Sequence, residues 1–259
     1  MSEVTHHIPP WARSWACLVC TALLAAAQAG IEPRQLILRT AEVYQRAANG
    51  SIFAAQIHEF GQSAEFKSTR ERSRRVIRSG DRMRLEHRAG RRPNGSLWNL
   101  AQGRAILYIQ EHRHYFETEA DSTSGKRVRR QIEHWYRILG GRFAMLGLIE
   151  AEFRLLKLED VKTAGKRIRC AVLSVVPNDR SLGWTQRLWI DPETALVWKS
   201  VMQLPPGRDE ISALIATEET LIWDEIHIGP VPDEAFAFTP PPGFRVLEIV
   251  PNLFWSVPP

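Results

Sequence analysis

Between Pro33 and Asn49, Leu36, Leu38, Ala41, Val43 and Ala47 recur as a ragged apolar stripe at helical spacing. Pro33 suits a first turn and Asn49-Gly50 a stop, so the pattern predicts a helix over this stretch. From Ser51 the period changes to two. Phe53, Ala55 and Ile57 alternate with smaller or polar residues, and Met83, Leu85 and His87 alternate with charged ones. Turn chemistry at Ser79-Gly80-Asp81, Ala101-Gln102-Gly103, Thr163-Ala164-Gly165 and Asp191-Pro192-Glu193-Thr194 separates these runs and predicts antiparallel hairpins. A second helix is predicted where Ile132, Trp135, Tyr136, Leu139, Phe143 and Leu146 recur, with Gly140-Gly141 kinking or ending it. Its exposed side carries Lys126, Arg127, Arg129 and Arg130. Strands are predicted again over 155–161, 166–176, 185–190, 195–203 and within 211–228.

The order is therefore helix, strands, helix, strands. Several strands, such as Ala105 to Ile109 and Leu221 to Trp223, are apolar on both faces, which an antiparallel sheet with one wet face does not require. A strongly curved sheet with helices laid into its concave side satisfies that pattern. The expected fold class is α+β, mostly β: a strongly curved antiparallel sheet, an incomplete barrel, with helices covering the concave face.

The chain before the first helix has a different character. A polar stretch ends at Arg13, and Trp15 to Ala26 carries no charge. Ala27-Gln28-Ala29 places small residues where a signal peptidase reads, so residues 1–29 are expected to be a signal peptide cleaved before Gly30. The apolar run is shorter than the roughly 20 residues a membrane-spanning helix needs. Residues 30–259 are expected to form a single domain in the periplasm or outside the cell. Two of the three cysteines fall in the leader, so Cys170 alone remains; alternating with Ile168 and Val172, it is expected to be a small buried hydrophobe.

The net charge of +5 is unevenly placed. Lys67, Arg70, Arg72, Arg74, Arg75, Arg78, Arg82, Arg84, Arg88, Arg91 and Arg92 face only Glu71, Asp81 and Glu86. In an exported protein such a segment meets anionic lipid, acidic glycan or an acidic partner, not nucleic acid; a solvated strand face is the plainer alternative. Arg82, Arg84 and Arg88 are the candidate surface for an anionic partner. No metalloprotease helix, nucleophile elbow or phosphate loop is present in the sequence. His112 and His114 flank Arg113 at a predicted turn, without a third ligand nearby, so neither a metal nor another cofactor is expected.

Toward the C-terminus, Leu188 to Trp198 contains Asp191-Pro192-Glu193-Thr194, followed by Ile226-His227-Ile228, Phe236-Ala237-Phe238 and Pro240-Pro241-Pro242. A hairpin turn of the form Asp-x-x-Thr, a short helical step, Phe-x-Phe and a proline-rich close resembles the periplasmic lipoprotein-carrier superfamily of LolA and LolB type. The resemblance implies an incomplete antiparallel barrel with a helical lid, enclosing an apolar cavity that receives acyl chains. It also implies that Asp191-Pro192 sets the turn and that Phe236 and Phe238 plug one edge of the core.

Seven of the nine tryptophans follow the leader and suit either a core or the wall of a lipid site. Phe53, Ile57, Leu85, Trp98, Leu100, Tyr108, Phe116, Trp135, Leu139, Trp189 and Trp198 are the candidate lining. The expected function is a non-enzymatic periplasmic carrier or binding protein for lipids or lipoprotein acyl chains. The alternative is an envelope sensor or protein-interaction module that docks on a protein or an anionic membrane through the Arg-rich segment.

Overall fold

The computed structural model describes residues 30–48, 50, 52–63, 72–89, 95–204 and 216–248. The expected leader, 1–29, lies outside them, as do the side chains of 52–63, 72, 88–89, 95–96 and 216–217.

Helix α1 (Pro33–Ala48) starts where the Glu32 carboxylate accepts hydrogen bonds from the backbone N–H groups of Arg34 and Gln35, at 3.2 and 2.6 Å. Such a cap satisfies donors that the first turn leaves unpaired. Its buried face is Leu36, Ile37, Thr40, Ala41, Tyr44 and Ala47, with Leu38 and Val43 at its margins.

Twelve strands follow: β1 (Ile52–Ser63), β2 (Arg72–Ser79), β3 (Arg82–Ala89), β4 (Gly95–Ala101), β5 (Arg104–Ile109) and β6 (His114–Glu119) before the second helix, then β7 (Ala151–Thr163), β8 (Lys166–Pro177), β9 (Thr185–Ile190), β10 (Val197–Gln203), β11 (Ala216–Gly229) and β12 (Arg245–Val246). They form one sheet ordered β12-β6-β5-β4-β3-β2-β1-β11-β10-β9-β8-β7. Neighbours are antiparallel except β12 and β6. Two meanders meet where β1 pairs with β11, and β7 and β12 remain as open edges, so the curved sheet is an incomplete barrel. Register shifts at Gln56/Ile57, Leu155/Lys157 and Val197/Lys199 add bulges, which bend and coil a strand pair locally.

Helix α2 (Thr123–Leu139) lies across β2 to β6. The Ser122 hydroxyl accepts from the Gly125 N–H at 3.0 Å and so caps it. At Gly140 the chain passes from α2 into a 3-10 helix, Gly141–Leu148, which packs on α1. The predicted single stripe therefore belongs to two consecutive helices.

One main core fills the concave side. It joins Leu36, Ile37 and Tyr44 of α1, Val128, Ile132 and Leu139 of α2, and Phe143 and Leu146 of the 3-10 helix to the inward side chains of both meanders. On β5 both faces are covered, Leu107 and Ile109 by the main core and Tyr108 by Phe238 and Phe244. On the convex side Pro232–Phe238 straps across β2 to β4: Asn99 donates to the Phe236 carbonyl at 2.9 Å, and Phe236 is buried against Ile77. A second convex cluster gathers Val161, Cys170, Val172, Trp189 and Val201. Here the β7–β8 hairpin curls until the Thr163 hydroxyl of β7 donates to the Trp223 carbonyl of β11, across the three intervening strands of the sheet.

Candidate functional site

The concave face has an apolar floor and a polar end. At its centre Trp223 donates its indole N–H to the Leu139 carbonyl, at 3.0 Å, where α2 ends. Phe143 lies between Trp223 and Tyr44, with ring centroids 5.5 and 5.1 Å away. The Tyr44 hydroxyl accepts from the Val197 N–H at 3.3 Å, and burial pushes its ionisation well above the usual phenol range. Arg39 donates to the carbonyls of Pro192 and Glu193, so α1 is fastened to the β9–β10 turn. That turn is held by Asp191, which accepts from the Glu193 N–H and the Thr194 hydroxyl, as the resemblance implies.

Toward one end of β9, β10 and β11 the inward positions become polar. Ser200 and Gln186 are buried and joined by a 2.8 Å hydrogen bond from the Gln186 amide to the Ser200 hydroxyl. Glu219 belongs to the same cross-strand row, opposite Met202, which in turn faces Gln186. Above them stands Arg142 of the 3-10 helix. One of its terminal nitrogens is 3.7 Å from the Glu219 carboxylate and the other 3.4 Å from the Ser200 hydroxyl. Its Nε is shut off from solvent and has no hydrogen-bond partner. Burial disfavours its charged form, the nearby carboxylate offsetting only part of that. The sequence signal for this strip is a single charge inside the apolar run from Leu139 to Ile149, which periodicity alone did not single out.

The candidate lining residues separate by strand parity. Leu85, Trp98, Leu100, Phe116 and Leu139 belong to the concave core. Trp135 is half-buried on α2 beneath the Arg74 guanidinium, 3.4 Å from its ring. Trp198 is the extra residue of a bulge and touches the cores on both sides of the sheet. Two placements correct the expectation. Trp189 lies in the convex cluster, between the inward Leu188 and Ile190. Tyr108 lies on the convex face with Phe238 and Phe244, because its neighbours Leu107 and Ile109 point inward. Phe53 and Ile57 are on β1, their side chains outside the described residues. Phe236 and Phe238 likewise cover the convex face instead of plugging an edge of the main core.

The Arg-rich strands are largely engaged within the molecule. Arg74 and Arg78 face inward under Trp135 and Tyr136 of α2. Arg82 pairs with Asp233 at 2.5 Å, and Arg84 donates to the carbonyls of Ala235 and Ala237 while pairing with Glu86. Arg82 and Arg84 thus hold the strap, which corrects their reading as a free anionic-partner surface. The side chain of Arg88 lies outside the described residues. On the helix, Lys126 and Arg130 are exposed, whereas Arg127 and Arg129 are half-buried.

Two depressions open on the convex side. One, of about 340 Å³, lies between Arg75, Glu86, Glu225 and His227 and the strap; the other, of about 620 Å³, lies between Tyr108, Arg113, Pro241 and Phe244. Among the described residues no three His, Cys, Asp or Glu side chains gather as a metal site, and no helix is long and apolar enough to cross a membrane. His112 is exposed in the β5–β6 turn and His114 is half-buried at the start of β6.

No family model matches the sequence, and no curated protein matches it. Solved structures of similar organisation do exist. The complex of MucA and MucB from Pseudomonas aeruginosa is 15% identical, with a TM-score of 0.42, over 81% of this chain and 62% of that one. This chain therefore spans about three fifths of its length. The LolA superfamily protein of Nitrosomonas europaea is 11% identical, with a TM-score of 0.30, over 81% of this chain and 99% of that one. The Mycobacterium tuberculosis lipoprotein LppX is 10% identical, with a TM-score of 0.41, over 78% and 99%.

Proposed function

We propose that this protein is an exported, non-enzymatic binding protein of the cell envelope that holds lipid or lipoprotein acyl chains between its helices and the concave face of its sheet. Residues 30–259 are the working domain, released from the leader 1–29. The observation that carries this reading is the layering of the main core. α1, α2 and the 3-10 helix form a layer that meets the sheet through a large apolar core, with polar ties at its centre from Tyr44 to Val197 and from Trp223 to Leu139 and at its margins from Arg39 and Arg142. An acyl chain entering that seam exchanges one set of apolar contacts for another. Each methylene removed from water contributes about 0.8 kcal/mol toward parting the layers. Leu85, Trp98, Leu100, Phe116 and Leu139 would line the path.

Native mass spectrometry of protein extracted gently from its producing cells is expected to show bound lipid, and delipidated protein is expected to take up a hydrophobic fluorescent probe. A protein that carries no lipid and admits no such probe would end the proposal. The interaction-module alternative requires a partner that competes with Asp233 and the strap carbonyls for Arg82 and Arg84. Charge reversal at Arg82, Arg84 and Arg88 together then abolishes partner capture, and unchanged capture removes that surface.

A further inference from the structure

Resting on that acyl-binding reading, we infer that Arg142 is the headgroup-recognition residue of the concave site and that the ligand class is an amphiphile with an anionic head, a carboxylate or a phosphate. On the concave side of β9 to β11 the described positions are apolar except for Gln186, Ser200 and Glu219, which lie together toward one end of those strands. A single-tailed anionic amphiphile has the same distribution, a long apolar body with one charged end.

The guanidinium of Arg142 is incompletely satisfied. Its side chain keeps 24% of its surface, its Nε is cut off from water without a partner, and Glu219 at 3.7 Å is too distant for a good hydrogen bond. A guanidinium presents a planar fork that matches carboxylate and phosphate oxygens, and the unpaired Nε–H is one tine of it. An anionic head placed there supplies the acceptor that the Nε–H lacks. Ser200 and Gln186, already hydrogen-bonded to each other, offer further donors to such a head. Arg142 sits on the helical layer while the row sits on the sheet, so a head bound between them leaves its tail directed along the seam.

The test uses delipidated protein and three ligands with the same tail, palmitate, hexadecyl phosphate and hexadecanol, each competed against a hydrophobic fluorescent probe. Wild type is expected to bind the two anions at least tenfold more tightly than the alcohol. Arg142→Met is expected to lower both anions to the level of hexadecanol while leaving hexadecanol within twofold, and Arg142→Lys to retain part of the preference. Equal binding of all three by wild type overturns the inference while the acyl-binding reading stands, and this result needs no variant to fold. A uniform loss of all three in Arg142→Met also overturns it, since the residue then acts on the layer and not on the head. Wild type that binds none of the three overturns the acyl-binding reading itself and this inference with it. Preference for palmitate alone, or for hexadecyl phosphate alone, supports it and identifies the head.

Discussion

At the level of single residues, polar atoms held inside the apolar layers carry the sharpest consequences. Tyr44 supplies the acceptor for the Val197 N–H in the middle of the core. Tyr44→Phe leaves that donor without a partner and is expected to cost about 1–3 kcal/mol, read from urea unfolding. Cys170 is fully buried in the convex cluster, and burial, reinforced by Asp191, Asp160 and Glu159, pushes its thiol up to about 12. The unfolded thiol titrates near about 8.5, so this contribution to stability is intact below that pH and is lost as pH rises toward 12. The slope is up to about 1.4 kcal/mol per pH unit. Unfolding measured at pH 8 and pH 10 is expected to show a larger loss for wild type than for Cys170→Ala. The native thiol is expected to resist a thiol reagent that labels it after denaturation.

Among the elements, helix α2 is the most exactingly docked. Gly125 lies so close to the end of β6 that an added Cβ would meet the Glu119 carbonyl oxygen at 2.2 Å and that of Ala120 at 2.6 Å. Backbone atoms cannot yield as a flexible side chain does. Gly125→Ala is therefore expected to displace the first turn of α2 and to cost more than about 3 kcal/mol, well beyond the loss of about 1 kcal/mol expected for removing the cap with Ser122→Ala. Thermal unfolding of the two variants side by side checks the ranking. The strap is the second such element. Phe236→Ala is expected to cost about 3 kcal/mol through the lost burial against Ile77, and limited proteolysis is expected to cleave the C-terminal segment sooner than in wild type.

For the whole molecule the controlling fact is that one core is shared by both meanders and both layers. β1 and β11, contributed by distant parts of the chain, join the two meanders, and Trp223 on β11 touches the end of α2 and the 3-10 helix at once. The separate convex clusters of each meander are small beside this shared core. Unfolding is expected to be a single transition, with tryptophan fluorescence and far-ultraviolet circular dichroism tracing coincident curves; two separated transitions would show that the meanders melt independently.

Local interactions were legible in the sequence because they act over a few residues. The first helix, the hairpin turns at Gly80, Gly103, Gly165 and Asp191, the strand at 185–190 and the buried setting of Cys170 all follow from periodicity and turn chemistry. So does the curved sheet with helices in its hollow, since strands apolar on both faces demand two covers. What tertiary structure alone decided is what covers each face and where each charge goes. Parity names two sides of a strand but not which one is concave, so Tyr108 and Trp189 could be assigned only once the sheet had curled. The arginines of β2 and β3 looked like an exposed surface because α2 and the strap, which receive them, are remote in the chain. Arg142, Ser200, Gln186 and Glu219 become one polar group only when the 3-10 helix closes over β9 to β11, since nothing in their separate neighbourhoods brings them together.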